Sequence, residues 1–198
     1  MLEDVVEQID ELTLLMNDLI ELARGEERGR HVEDVRLDLI IGEAIARARR
    51  HSPARHFEVR TEEVLVSGEP ARIDRAVNNL IDNAVKYSPP QRPVEVTLDT
   101  HGELCVCDHG AGISAEDLPH VFDRFYRGAE ARRRPGSGLG LAIVRQVADS
   151  HGGSVSAERA PGGGTLMRLS LSGSPRAPDE QGPTLDAQGE RARVLSHP

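Results

Sequence analysis

Asn79, Asn83 and Lys86 follow one another at spacings of four and three in a helical run that also carries Arg75 four residues earlier. On a helix these positions share a stripe, so two carboxamides and an ammonium make a polar wall. Carboxamide oxygens are neutral hard ligands. They suit Mg²⁺, which keeps part of its shell for water and phosphate oxygens. Lys86 suits a phosphate as a point charge. A lone stripe of this kind is more often a solvated helix face, so its meaning depends on what else the chain supplies.

Asp108 supplies the second piece. It follows a strand-like run, Glu103 to Cys107, and opens the turn Asp108-His-Gly110-Ala-Gly112-Ile113. A carboxylate at a strand end can accept a hydrogen bond from an exocyclic amine such as that of adenine. Gly110 and Gly112 would let backbone approach a flat ring with no Cβ in the way. Turns often look like this, so the motif alone is weak. The third piece, Gly136-Ser137-Gly138-Leu139-Gly140-Leu141, opens a helix, and free N–H groups at a helix start favour phosphate. It is not a Walker loop, because no Lys-Ser/Thr follows. It is not a dinucleotide fingerprint either, because a charged loop precedes it. Between these pieces, Phe122, Phe125 and Tyr126 give apolar anchors to an otherwise polar segment, as in a lid. Arg127 can reach phosphates from that lid, whereas Arg132 to Arg134 read as a solvated run.

These groups need elements to hold them. Pro70 suits the first turn of a helix that runs to about Tyr87 and buries Ile73, Val77, Leu80, Ile81 and Ala84. Asp38 can cap an earlier helix through about Ala48, with Leu39, Ile40, Ala44, Ile45 and Ala48 as its apolar positions. His56 to Arg60 and Val64 to Val66 read as short strands. Val94 to Leu98 and Glu103 to Cys107 alternate as a hairpin turned at His101-Gly102. A short helical stretch is expected near Leu118 to Phe125 and a longer one over Leu139 to Ser150. Ser154 to Glu158 and Thr165 to Leu171 read as a closing hairpin around Pro161 to Gly164. Helices mixed with antiparallel strands indicate an α+β fold, a two-layer sandwich. The apolar heptad from Leu2 to Ala23 predicts a bundle or coiled-coil helix with a broad apolar face, favouring dimerisation. Residues 25–35 read as a linker. From Gly173 onward the Pro-, Gly- and Ser-rich tail predicts disorder.

Composition narrows the classes. The 198 residues fit one domain plus appendages. Only 3% are aromatic, so aliphatic side chains must build the core. A formal net charge of -9 argues against nucleic acid as a partner and suits a chain that meets other proteins. Cys105 and Cys107 fall on one face of a strand and point in parallel, which is poor geometry for a bridge. They read as small apolar residues, buried, in a reducing compartment. No apolar run reaches the roughly 18 residues of a membrane span. Glu3 and Asp4 stand where a signal peptide is basic. A soluble, cytoplasmic chain is expected.

In this order the motifs resemble the catalytic ATP-binding domain of sensor histidine kinases, in the superfamily shared with gyrase, the Hsp90 chaperone and MutL. Asn79 to Tyr87 is similar to the N box and Asp108 to Ile113 to the G1 box. Phe122 to Arg127 is similar to the F box and Gly136 to Leu141 to the G2 box. The resemblance covers about residues 36–172, and residues 2–24 resemble the second helix of a dimerisation and phosphotransfer hairpin. It implies a Bergerat-type sandwich binding ATP and Mg²⁺. The implied ATP residues are Asn79, Asn83, Lys86, Tyr87, Asp108, Gly110, Gly112, Ile113, Arg127, Ser137, Gly138, Leu139, Gly140 and Leu141, with Asn79 and Asn83 sharing the Mg²⁺. The implied partners are a phosphoacceptor hairpin of the same kinase family, a response regulator and a second copy in the full-length protein. A membrane anchor would lie in the parent protein.

Hydrolysing members of the superfamily carry a Glu four residues before the N-box Asn, as a base for water. Here that position is Asn79, which cannot take a proton at neutral pH. The same Glu marks anti-sigma-factor serine kinases, so Asn79 disfavours both a regulatory module of that type and a topoisomerase or chaperone ATPase. None of the eight histidines has a phosphoacceptor setting: His51 precedes Ser-Pro, and His31, His101, His109 and His151 fall in loops or turns. The resemblance therefore implies a C-terminal kinase part whose acceptor histidine lies elsewhere.

Overall fold

The computed structural model describes Met16 and residues 32–129, 131–134 and 136–171. The helix expected over 2–24, Met16 apart, and the tail expected from Gly173 lie outside the described residues. In chain order the elements are β1 (Glu33–Arg36), α1 (Leu37–His51), β2 (Phe57–Thr61), β3 (Leu65–Gly68), α2 (Pro70–Tyr87), β4 (Val94–Leu98), β5 (Glu103–Cys107), α3 (Gly140–Ser150), β6 (Ser154–Arg159) and β7 (Thr165–Ser170). Short 3-10 turns at Leu118–His120 and Ala131–Arg133 interrupt the long segment between β5 and α3.

Five strands form one sheet in the order β2-β4-β5-β7-β6. The β4–β5, β5–β7 and β6–β7 pairs are antiparallel, whereas β2 and β4 run parallel, with Phe57 opposite Val94. A separate antiparallel ribbon joins β1 to β3, with Val35 opposite Val66. The expected α+β sandwich is thus present, with one parallel pair that the alternating pattern did not announce.

Period-two alternation decides which face is covered. Val94, Val96 and Leu98 of β4, Leu104 and Val106 of β5, and Met167 and Leu169 of β7 are all buried. Against them pack Ile41 and Ile45 of α1, Ile73, Val77, Leu80 and Ile81 of α2, and Ile143, Val144 and Val147 of α3. Each fully buried Leu or Ile contributes about 1.5–3 kcal/mol of transfer free energy. The opposite face carries Glu95, Thr97, Glu103, Arg168 and Glu158, with Arg168 bonded to Glu103 at 2.9 Å and Glu158 at 3.0 Å.

Several local expectations are corrected. Residues 33–35, read as linker, belong to β1. Asp38 is not the cap of α1. Arg36 holds that position, and the Leu37 N–H is satisfied by Val64 O at 2.9 Å. Asp38 lies in the first turn instead, where it takes a forked pair of bonds from Arg36 at 2.7 and 2.8 Å. A carboxylate there also meets the positive end of the helix. The inward stripe of α1 uses Leu37 and Ile41, while Leu39 is exposed. Cys105 and Cys107 do share a face, but it is the outer one, so they are half-buried and unbridged. The stretch from Leu118 to Phe125 forms one 3-10 turn and then irregular backbone.

Candidate functional site

The polar stripe on α2 is where the other motifs converge. α2 spans Pro70–Tyr87, as its apolar period and proline start require, and leaves Asn79, Asn83, Lys86 and Tyr87 partly exposed. Distances to the glycines show how closely the loops approach it. A methyl group on Gly140 would stand 3.4 Å from Asn79 Oδ1, and one on Gly136 would stand 2.7 Å from Lys86 Nζ. One on Gly110 would fall 2.5 Å from the Tyr87 carbonyl oxygen. The start of α3 and the loop before it therefore meet the stripe of α2 at Asn79 and Lys86, and the turn after β5 meets the end of the helix at Tyr87.

Asp108 is buried, and its Oδ1 accepts the Gly110 N–H at 2.7 Å. Its own N–H donates to Thr165 O at 2.9 Å, which fixes the turn to β7. Gly110 cannot carry a side chain without striking the end of α2, so the glycine here is a packing requirement. The His109 N–H reaches Ser88 Oγ at 3.4 Å, a second tie between this turn and α2. Ile113 packs partly buried against the core.

The third motif starts α3. Leu139 is fully buried, and its N–H donates to Ser137 Oγ at 3.1 Å. Leu141 packs partly buried against the core. Gly138 sits at φ 72°, and a Cβ there would lie 2.9 Å from both Phe125 C and Tyr126 O. Phe125 N–H donates to Gly138 O at 3.0 Å. Phe125 itself takes φ 64° with its ring exposed, an uncommon conformation for a bulky residue. The aromatic segment and the glycine motif are thus one docked unit.

The base of that segment is knit by Asp117. Its carboxylate accepts Tyr126 OH at 2.6 Å and Ser114 Oγ at 2.9 Å. The Tyr126 hydroxyl, then Ser114, hold the Asp117 carboxyl below the usual carboxylate range. Arg127, expected to face phosphate, spends its guanidinium in this structure on the carbonyls of Ala131 and Arg134. Arg134 Cζ stands 5.3 Å from the centre of the Tyr87 ring and Lys86 Nζ 5.4 Å from it. Burial pushes the Tyr87 phenol up, against the opposing charges of Arg127 and Arg134.

The arrangement combines cations near Tyr87, two carboxamides on α2 and a buried carboxylate. The Asn79 Nδ2 atom is buried and has no hydrogen-bond partner among the described residues. An orphaned amide costs about 1–3 kcal/mol unless something fills it. Two residues that sequence reasoning missed position the site. Arg55 bonds the carbonyls at the end of α2, and His151 accepts the Glu69 N–H at 3.0 Å just before α2 begins. Neither has a local signal, because their partners lie 30 and 82 residues away.

Comparison with known proteins agrees with this geometry. Residues 68–174 match the family model described as histidine kinase-, DNA gyrase B-, and HSP90-like ATPase. The signal transduction histidine-protein kinase/phosphatase MprB of Mycobacterium ulcerans (strain Agy99) is 44% identical over 181 residues, covering 87% of this chain and 35% of the relative. Its counterpart in Mycobacterium avium (strain 104) is 40% identical over 98% of this chain and 39% of its own length. The chain thus spans little more than a third of these relatives. Among solved structures, a mycobacterial sensor histidine kinase MprB is 38% identical with a TM-score of 0.66, over 73% of this chain and 99% of that one. The ATP binding domain of PrrB from Mycobacterium tuberculosis is 30% identical with a TM-score of 0.57, over 72% of this chain and 97% of that one. The chain belongs to the histidine kinase-, DNA gyrase B- and HSP90-like ATPase family, and within it to the ATPase domains of sensor histidine kinases.

Proposed function

We propose that this chain is the ATP-binding part of a two-component sensor histidine kinase. It donates the γ-phosphoryl group of Mg-ATP to a histidine that lies outside this chain, for onward transfer to a response regulator. The observation that carries the reading is Asn79. It stands where hydrolysing relatives have a glutamate base, its Nδ2 is buried without a hydrogen-bond partner among the described residues, and it abuts Gly140 at the start of α3. A carboxamide cannot take a proton from water, so the site favours a delivered nucleophile over hydrolysis.

In this reading Asp108 Oδ1 stays on the Gly110 N–H, and Oδ2 accepts the exocyclic amine of adenine. Asn79 and Asn83 would hold Mg²⁺, and Lys86 would meet phosphate. Bound Mg²⁺ supplies charge neutralisation for the phosphates. The backbone N–H groups that open α3 orient the chain of phosphates. The segment held by Phe122 against the core and by Tyr126 on Asp117 excludes water; Phe125, expected as a third anchor, keeps its ring exposed. We place the chain on the cytoplasmic side, in a dimer of a membrane-anchored parent. Among the described residues no helix is long and apolar enough to cross a membrane.

The test supplies the missing acceptor. Radiolabelled ATP is incubated with this chain and a kinase-dead relative that carries the phosphoacceptor hairpin. Acid-labile label on the hairpin is expected. ATP binding without any transfer would instead favour a regulatory nucleotide-binding module of the anti-sigma type.

A further inference from the structure

The outer face of the sheet carries a cluster that the nucleotide reading does not use. Glu95 of β4 and Cys107 of β5 stand directly opposite each other in register, with side chains on the same face. His109 lies two residues beyond Cys107, so it returns to that face after the strand ends. Its Nε2 meets Glu95 Oε1 at 2.7 Å. One carboxylate oxygen, one thiol sulfur and one imidazole nitrogen all lie within 4.8 Å of one another.

An ordinary ion pair leaves much of this unexplained. The His109 side chain is 12% exposed, and its Nδ1 is buried with no hydrogen-bond partner among the described residues. Among the described residues the Cys107 thiol makes a long contact with its neighbour's carbonyl, at 3.6 Å. Glu95 is open to solvent at 43% exposure, which gives an ion a way in.

We propose that Glu95, Cys107 and His109 form a binding site for one zinc-class divalent cation on the outer face of the sheet. Thiolate, imidazole and carboxylate together are the donor set of zinc, whereas Mg²⁺ avoids sulfur. Three protein ligands leave a fourth position for water, as in open zinc sites. Around a tetrahedral zinc, ligand atoms stand about 3.3–3.6 Å apart. The imidazole and carboxylate must part slightly and the thiol close in, movements that side-chain rotation provides. Binding replaces the thiol proton, which passes to solvent. The site lies behind Asp108, whose buried carboxylate is flanked in sequence by the two ligands Cys107 and His109.

Titration of the full chain with Co²⁺ tests this. One equivalent is expected to give the thiolate-to-cobalt charge-transfer band, and Zn²⁺ is expected to abolish it by displacement. Cys107→Ser should lose the band, and Cys105→Ser, two residues away on the same face, should keep it. Absence of the band in the parent chain, or its survival in Cys107→Ser, overturns the proposal. Should Cys107→Ser fail to fold, Glu95→Gln decides instead. A roughly tenfold or larger loss of Zn²⁺ affinity by calorimetry supports the site, and undiminished affinity overturns it.

Discussion

Arg55 Nη2 donates to the carbonyl oxygen of Val85 at 2.8 Å, joining the approach to β2 with the last turn of α2. The same guanidinium reaches Ser88 O at 3.1 Å and Pro89 O at 2.5 Å. Val85 lies in the last turn of α2, whose carbonyls have no further donors within the helix. Arg55→Ala is expected to destabilise the domain by about 2 kcal/mol, because charge-assisted bonds to partly buried carbonyls are lost together. Arg55→Lys should recover only part, since an ammonium cannot fork across several acceptors. Urea unfolding of the three proteins checks both statements, and equal midpoints would refute them.

Asp108→Asn is expected to weaken ATP binding by about one to two powers of ten, a loss of about 1.4–2.8 kcal/mol. The amide oxygen can keep the Gly110 bond, so thermal stability should change little. The amide nitrogen then faces the exocyclic amine with a donor where an acceptor is needed. Calorimetry with ATP, beside a melting curve, separates the two effects. A variant that binds ATP as tightly as the parent would sink the assignment of Asp108.

Gly138→Ala is expected to loosen the segment before α3. A left-handed conformation costs a residue with a Cβ about 1–2 kcal/mol, and this Cβ would also press on Phe125 and Tyr126. Limited proteolysis should cut between residues 114 and 136 sooner in the variant, while the sheet stays intact. Unchanged cleavage would mean that the contact does not restrain the segment.

The Asp117 hub has a predictable response to acid. Its folded carboxyl is held below the unfolded value, so its contribution is complete above the unfolded pKa of about 3.9. It fades as pH falls through the lower, folded value. Tyr126→Phe removes the principal cause and should move the Asp117 titration upward. Carboxyl carbon NMR shifts followed with pH report this directly; identical curves for both proteins would exclude the hydroxyl as the cause.

The thiol of Cys107 is pushed up to about 11, by burial first and then by the charges of Glu95 and Asp108. In metal-free buffer its alkylation should be slow at neutral pH and keep accelerating through pH 10, because the thiolate is the reactive form. A plateau below pH 9 would contradict the raised value.

α2 was fully legible because proline, apolar period and polar stripe all agree over one uninterrupted helix. β4 and β5 were legible for the same reason at period two. The misreadings share one cause, which is that a distant partner decides the outcome. Residues 33–35 look like linker until β3 pairs with them. Asp38 looks like a cap until Val64 O takes the helix's first N–H. The cysteines look like core residues because alternation says they share a face without saying which. The site's residue types were readable, but the contacts of Arg55 and His151 with α2 were not, because nothing near them in sequence marks the match.

The parallel pairing of β2 with β4 has a temporal consequence. α2 is part of the crossover between β2 and β4, so its inner face is covered only once β4 has passed back alongside β2 and the strands after it have joined. Non-local closures of this sort come late, because loop entropy is spent before contacts reward it. A growing chain that ends at Leu98 already contains the whole polar stripe, yet lacks β5, β7 and α3. The surface that collects Asn79, Asn83 and Lys86 is therefore among the last features of the molecule to assemble.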